Sequence, residues 1–75
     1  MMVMKKMTLI EKTKYYELHE DNQGDIVNFG VQLYTESGQL LFNIALQNQY
    51  VEGKAICRMW QENHLLKKQL DINIV

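Results

Sequence analysis

The segment Val27–Gln47 alternates apolar and polar residues, pauses at Ser37-Gly38, and then resumes the same alternation. Successive side chains of a β-strand point to opposite faces, so a period of two predicts strands with one buried face. Gly38 supplies the positive φ that a tight hairpin turn needs. We therefore predict a β-hairpin closed by a two-residue turn at Ser37-Gly38. The apolar positions are Val27, Phe29, Val31, Leu33, Leu40, Phe42, Ile44 and Leu46.

The apolar pattern also predicts the register of this hairpin. A tight turn at positions 37 and 38 places apolar residues opposite each other throughout. The resulting pairs are Leu33 with Phe42, Val31 with Ile44, and Phe29 with Leu46. A slip by one residue places Val31 opposite Asn43 and destroys the common apolar face. We therefore expect Phe29 and Phe42 on the same side of the sheet.

The segment Lys12–Glu20 predicts a third strand in front of the hairpin. Tyr16 and Leu18 share one parity there and join the apolar face. The polar run Glu20–Asp25 contains Gly24 and predicts the turn that leads into the hairpin. Together these segments predict a three-stranded antiparallel meander.

From Asn48 onward, the apolar spacing becomes that of an amphipathic helix. Asn48 is the predicted N-cap, because its short polar side chain accepts a hydrogen bond from the first turn. Gly53 lowers helix propensity by about 1 kcal/mol relative to alanine, which moves the expected start toward Glu52. Asn63 interrupts the apolar arc and leaves two alternatives, a helix that continues to Leu70 or one that ends at Asn63. The arc comprises Ala55, Ile56, Met59, Trp60, Leu66 and Leu70.

The helix must cover the apolar sheet face, because neither element is stable alone. The predicted fold class is α+β, with a β-β-β-α order in two layers and the other sheet face in water. A chain of 75 residues makes one domain, 1–75, in which we interpret residues 1–8 as a flexible lead-in. Trp60 is the expected core anchor, and its indole N–H needs a hydrogen-bond partner there.

Charge is unevenly distributed along the chain, although the net charge is only -1. Residues 15–52 contain neither lysine nor arginine, so the sheet lacks the cations that phosphate contacts require. The candidate basic face lies on the helix and consists of Lys54, Arg58 and Lys68. Association with nucleic acid through that face is the alternative function. A solvated helix face is the simpler interpretation of the same residues.

The uncovered sheet face is the candidate protein-binding surface, because tyrosine and amide side chains combine contact area with adaptable hydrogen bonds. An ordinary solvated sheet face has the same composition, which is the simpler interpretation. The edge strands offer a second route, since unpaired backbone groups invite pairing with another chain. We expect a protein partner or self-association, with a homodimer as the simplest version. The residues of this amide–tyrosine face are Tyr15, Asn28, Gln32, Tyr34, Asn43 and Gln47.

The residue types that most often carry chemistry form no recognisable site in this sequence. Cys57 and His64 are seven residues apart on the predicted helix, which separates them by about 10 Å along its axis. That gap is too long for one metal ion or for a cysteine–histidine nucleophile pair. The acidic residues around Gly24 lack the spacing of a calcium loop. We expect a protein that is not an enzyme, with no catalytic, metal or cofactor site and no small-molecule substrate.

Two sequence features favour a cytoplasmic location. The single cysteine, Cys57, has no partner within the chain for a disulfide, which fits a reducing compartment. The segment after Lys5 and Lys6 becomes charged within a few residues, so it predicts neither a signal peptide nor a membrane span. We expect no membrane association.

An aromatic-glycine-apolar strand, Phe29-Gly30-Val31, is followed by Asn43-Ile44 and then by the amphipathic helix. This order resembles a family of small uncharacterised domain proteins from Firmicutes, and the similarity covers residues 15–75. The resemblance implies that the first helix stops at Asn63 and that a second short helix follows near Leu70. It bears on the fold and implies no activity, cofactor or partner.

Overall fold

The structure, a computed structural model, describes the backbone of residues 7–73 and the side chains of residues 7–68. Over this range, four strands form one antiparallel sheet on which a helix packs. The strands lie side by side in chain order, so each follows its neighbour through a short connection. The elements are β1 (Met7–Lys12), β2 (Tyr16–Gln23), β3 (Ile26–Tyr34), β4 (Leu40–Gln47) and α1 (Tyr50–Asn73).

The predicted α+β class, with a helix on the sheet, is confirmed, but the predicted number of strands is wrong. The sheet has four strands instead of three, because the irregular segment Thr13–Tyr15 divides the expected strand Lys12–Glu20. The residues before that segment form β1. Met7 and Thr8, which we assigned to the lead-in, therefore belong to the sheet. The rest of the predicted lead-in, residues 1–6, lies outside the described residues.

Strand β1 escaped prediction because its side chains do not alternate between apolar and polar. Its register with β2 shifts between Leu9 and Glu11, which leaves Ile10 as the extra residue of a β-bulge. Leu9 and Ile10 are adjacent in sequence and both are exposed. Apolar and polar residues alternate in a strand because one of its faces is buried, so a strand with no buried face shows no period of two.

The predicted register of the hairpin is confirmed, and its predicted turn is wrong. The observed pairs are Phe29 with Leu46, Val31 with Ile44, and Leu33 with Phe42. Positions 36–38 form a three-residue loop in which a turn is followed by a left-handed residue, here Gly38 with φ 87°. Tyr34 then pairs with Leu40, and Leu41 becomes an extra residue. This bulge compensates for the longer loop and restores the register that the apolar pattern predicted.

Helix α1 runs through Asn63 without interruption to Asn73. The alternative of a continuous helix is therefore correct, and the stop at Asn63 implied by the family resemblance is wrong, as is a separate second helix. Asn63 is exposed, so its amide side chain lies in water and leaves the sheet-facing side of the helix intact.

The start of α1 also differs from the prediction. The Gly53 N–H donates to the Gln49 carbonyl at 3.0 Å, so Gln49 and not Asn48 occupies the cap position. Asn48 adopts a left-handed φ of 55° between the last strand and the helix, a conformation that asparagine tolerates better than most residues. Its side-chain Oδ1 accepts the Val27 N–H at 2.9 Å, which fixes the chain reversal onto β3.

The helix face that contacts the sheet is rotated from the predicted arc. It consists of Gly53, Ile56, Cys57, Trp60 and His64. Ala55, Met59 and Leu66, which we predicted in the core, are exposed, and the side chain of Leu70 lies outside the described residues. The cause is the small size of Gly53, where an added Cβ would lie 3.4 Å from Val31 Cγ2. Gly53 packs directly against Val31, Leu46 and Leu18, and a pattern of bulky apolar residues does not reveal such a contact.

Trp60 is the core anchor that the sequence predicted. It packs against the buried cluster that contains Phe29, and its ring meets that of Phe42 edge-on with centroids 5.8 Å apart. Its Nε1–H donates to the Tyr34 carbonyl at 2.9 Å, which supplies the partner that a buried indole needs. Phe29, Phe42 and Trp60 thus share one side of the sheet.

Candidate interaction surfaces

The amide–tyrosine face loses Tyr15 in the structure. Tyr15 is only 6% exposed, and its ring stacks on His64 of the helix with centroids 4.7 Å apart. The side chain therefore lies on the helix-covered side, and its predicted place on the open face is wrong. The physical reason is the irregular segment Thr13–Tyr15, which removes Tyr15 from the alternation of β2.

The centre of the open face is occupied by polar groups that bond to one another. The Tyr34 hydroxyl lies 3.0 Å from Glu17 Oε2 and 3.0 Å from Gln32 Oε1, and His19 Nε2 lies 2.9 Å from Glu17 Oε1. Burial raises the pKa of Glu17, but the hydrogen bonds from Tyr34 and His19 outweigh it and leave that pKa below its ordinary value. These groups are partly committed within the molecule and offer little adaptable hydrogen bonding.

The remaining predicted amides lie toward β4. Asn28 on β3 is half-buried, whereas Asn43 and Gln47 on β4 are exposed. Beside them the backbone of Gly30 forms a shallow groove, which the Met7 side chain partly fills, because an added Cβ at Gly30 would lie 3.4 Å from Met7 Cε. The accessible part of the predicted face is therefore its margin along β4.

The candidate basic face is largely engaged in ion pairs. Lys54 Nζ lies 3.1 Å from Glu11 Oε2, and the Tyr16 hydroxyl donates to the same carboxylate. The hydrogen bonds from Tyr16 and then Lys54 lower the pKa of Glu11. Lys68 Nζ lies 2.6 Å from Glu36 Oε1, while Arg58 is exposed. Two of the three predicted cations already neutralise carboxylates of this chain, which weakens the argument for phosphate binding.

Glu36 at the β3–β4 loop lies near basic side chains from two other parts of the chain, the β1–β2 connection and the helix. Its carboxylate lies 2.6 Å from Lys68 Nζ, 2.9 Å from Lys14 Nζ and 3.8 Å from His64 Nδ1. The hydrogen bonds from Lys68 and Lys14 lower the pKa of Glu36 to about 2. The segregation of acidic and basic segments along the sequence thus produces contacts between the hairpin, the β1–β2 connection and the helix.

Cys57 and His64 lie in different surroundings on the helix. Cys57 is fully buried, and burial raises the pKa of its thiol to about 11, which suppresses the thiolate that acts as nucleophile. His64 stacks on Tyr15 and meets the Trp60 ring edge-on with centroids 4.8 Å apart. Among the described residues, no three His, Cys, Asp or Glu side chains are grouped as metal ligands would be. Both residues serve packing.

The two edges of the sheet differ in protection. The β1 edge carries Glu11 and Lys12, and a bulge at Ile10 interrupts its pairing; charges and bulges are devices that block further strand pairing. Strand β4, whose sequence is LLFNIALQ, carries no charge. The helix contacts mainly β2 and β3, so Leu40, Leu41 and Phe42 remain 48%, 52% and 48% exposed.

The hydrogen-bond pattern identifies which backbone groups of each edge point outward. The Asn48 N–H donates to the Val27 carbonyl at 2.7 Å, and hydrogen-bonded pairs alternate along an antiparallel ladder. From Phe42 to Gln47, even-numbered residues therefore bond to β3, and odd-numbered residues direct their N–H and C=O groups away from the sheet. The outward-directed residues of the regular part of β4 are Asn43, Ala45 and Gln47.

The same alternation applies to the other edge. The Tyr34 N–H donates to the Tyr15 carbonyl at 2.8 Å, so odd-numbered residues of β2 bond to β3 and even-numbered residues bond to β1. Leu9 pairs with His19 and thus directs its N–H outward from β1. Sequence reasoning recognised that edges exist but assigned the candidate residues to the open face. The absence of charge from Leu40 to Gln47 was the signal that distinguishes β4.

No protein-family model matches the chain, and searches of curated proteins and of solved structures also return no match. Within residues 7–73, no helix combines the length and the apolar character that crossing a membrane requires.

Proposed function

We propose that the protein is a small, non-catalytic interaction module that binds a protein partner by accepting a strand at the β4 edge. The observation that carries this proposal is the contrast between the two edges, since only β1 has charges that oppose pairing. Strand addition uses the backbone for affinity and the alternate side chains for specificity, and β4 supplies both.

The backbone contribution comes from Asn43, Ala45 and Gln47, whose N–H and C=O groups point away from β3. Asn43, Ala45 and Gln47 are exposed, so an incoming strand meets little steric obstruction there. An added strand replaces the water bonded to these groups with a regular ladder, as in other complexes that extend a sheet.

The side-chain contribution comes from the helix-facing side of β4. Phe42 is 48% exposed although it contacts Trp60, and Ile44 and Leu46 are only partly covered by the helix. A partner strand beside β4 would remove further apolar surface from water at these positions, which stabilises association.

The cytoplasm is the proposed location, on the ground that the one cysteine, Cys57, is a free buried thiol. A reducing compartment keeps such a thiol unmodified. The interaction therefore needs no disulfide, and it depends on strand pairing and apolar contact alone.

A capture experiment with one proline on each edge tests the proposal. Ala45→Pro removes an outward N–H from β4 without removing a bond to β3, and Leu9→Pro is the matched change on β1. Immobilised wild-type protein is expected to retain a stoichiometric partner, either an added untagged copy or another protein of a native extract. Ala45→Pro should lose it, and Leu9→Pro should keep it. Identical retention by all three proteins, or loss caused by Leu9→Pro alone, would contradict the proposal.

A further inference from the structure

We infer that the strand accepted at the β4 edge is β4 of a second copy, antiparallel to the first and related to it by a two-fold axis through Ile44. This inference rests on the proposed function, because it names the partner of the same edge. The result is one continuous sheet across two copies, with both helices on the same side.

The backbone of β4 is complementary to itself in this register. An axis at Ile44 places Asn43 of one copy opposite Ala45 of the other. Both residues direct their N–H and C=O groups outward from β3, so each pair exchanges two hydrogen bonds. An axis perpendicular to the sheet also keeps the helix-covered sides of both copies on one side.

The helix-facing side chains match across the same axis. Ile44 lies opposite Ile44 of the second copy, and Phe42 lies opposite Leu46. These are non-hydrogen-bonded pairs, in which opposite Cα atoms are about 4.5 Å apart and the side chains are closest. Apolar side chains that face each other in this way remove apolar surface from water, which stabilises association. The incompletely covered apolar side of β4 is therefore covered by its own counterpart.

The limits of the regular strand favour Ile44 over its neighbours as the centre. An axis at Asn43 brings the bulged residue Leu41 into the ladder. An axis at Ala45 places Phe42 opposite Asn48, whose left-handed φ of 55° ends the strand. Centring on Ile44 keeps the pairs of Asn43 with Ala45 and of Phe42 with Leu46 inside the regular segment, and Leu41 then meets only the terminal residue Gln47.

Charge also favours a second copy over a charged partner. Strand β4 has no ionised side chain, so two copies meet without opposing like charges and no ionised group of β4 is desolvated. A basic or acidic peptide would gain no complementary charge from this edge. A second copy of β4 is itself uncharged, so it matches this edge.

Disulfide trapping between single-cysteine substitutions tests this register. Asn43→Cys and Ala45→Cys both change exposed side chains on the open face, and the native Cys57 is fully buried and should not react. Disulfides form only where the Cα atoms are within about 7 Å. A mixture of the two variants should therefore cross-link about tenfold faster than either variant alone. The wild-type chain is the control for reaction at Cys57, and sedimentation velocity measures association without any substitution.

Each outcome separates this inference from the proposed function. Fastest cross-linking of Asn43→Cys alone, or of Ala45→Cys alone, overturns the Ile44-centred register. A wild-type chain that sediments as a monomer at every concentration, with no cross-link in the mixture, overturns the second copy as partner. In that case, loss of a different captured protein in Ala45→Pro would still support the proposed function. Equal retention of every captured protein by Ala45→Pro and wild type would contradict it.

Discussion

Strands β1 and β4 are the two edges of one sheet, and they differ in charge and in the position of their bulges. Strand β1 has adjacent charges at Glu11 and Lys12 and a bulge at Ile10. Strand β4 has neither charge nor interruption from Phe42 to Gln47. Because open edges promote uncontrolled pairing, proteins protect the edges they do not use. The proposed strand addition at β4 rests on this difference in charge.

The helix lies over the middle of the sheet and meets the two edges through different side chains. Gly53 packs against Val31, Leu46 and Leu18, and Lys54 is paired with Glu11 of β1. The helix therefore covers the middle of the sheet and bonds to the β1 side, while Phe42 remains half exposed on the β4 side. Both edges expose apolar side chains, but only the β1 edge also carries charged residues, one of which pairs with the helix.

The largest expected effect comes from placing a charge on the helix-facing side of β4. Burial of a phenylalanine side chain contributes about 1.5–3 kcal/mol, so Phe42→Lys should weaken association by about tenfold or more. Leu9→Lys, which puts the same charge on the β1 edge, should leave association unchanged. Sedimentation equilibrium over a dilution series measures both, and equal dissociation constants for the two variants would remove the distinction between the edges.

Substitutions at Gly53 test whether helix approach sets the exposure of β4. Gly53→Leu introduces a side chain against Val31 and should destabilise the fold by about 1–3 kcal/mol through overpacking. Gly53→Ala adds only a Cβ at 3.4 Å or more from its neighbours and should stabilise by up to about 1 kcal/mol through helix propensity. Urea unfolding followed by Trp60 fluorescence measures both free energies. A stabilised Gly53→Leu variant would contradict the observed close approach.

The glycine that closes the β3–β4 loop offers a smaller perturbation of the β4 edge. Gly38 has φ 87° and Gly24 in the β2–β3 turn has φ 78°, so alanine at either position should destabilise by about 1 kcal/mol. The thermal midpoints should fall similarly. Only Gly38→Ala should also weaken association, because only that loop sets the start of β4. Equal loss of association in Gly24→Ala would indicate a general stability effect.

The smallest effect is expected from protonation of Glu36. Its pKa is lowered from the ordinary value of 4.5 to about 2 by its hydrogen bonds with Lys68 and Lys14. Its stabilising contribution is therefore fully present above pH 4.5 and is lost as the pH falls toward 2. Wild type should lose slightly more stability over this interval than Glu36→Gln, in thermal melts at several pH values. Parallel curves for the two proteins would show that the cluster has no energetic role.

The parts of the fold that were predictable from sequence are those with a strong apolar period. Phe29, Val31 and Leu33 are buried on one side of β3, and that requirement alone determined the pairing with β4. The burial of these three residues did not determine the length of the turn, because the bulge at Leu41 offsets the change of register that the three-residue loop introduces. A hydrophobic pattern predicts which residues pair. It does not reveal a longer loop and a bulge whose effects on the register cancel.

The elements that escaped prediction have their determinants in tertiary contacts. The segment Met7–Lys12 lacks an alternating pattern, so its pairing with β2 left no periodic signal. The helix face was misassigned because two small residues, Gly53 and Cys57, are buried against the sheet, while Met59 is 62% exposed. Of the open-face residues that the sequence proposed as a binding surface, Gln32 and Tyr34 bond to each other. Only the exposed amides on β4 coincide with the edge proposed here.

The most direct test of the β4 edge is amide hydrogen exchange followed by NMR on the wild-type chain. Asn43 and Ala45 direct their N–H groups outward from β4, Leu9 does so from β1, and Ile44 bonds to β3. In the associated state, the amides of Asn43 and Ala45 should exchange at least about tenfold more slowly than in dilute protein, while Leu9 remains fast and Ile44 slow in both. Exchange at Asn43 and Ala45 that stays as fast as that of Leu9 in the associated state would contradict the account.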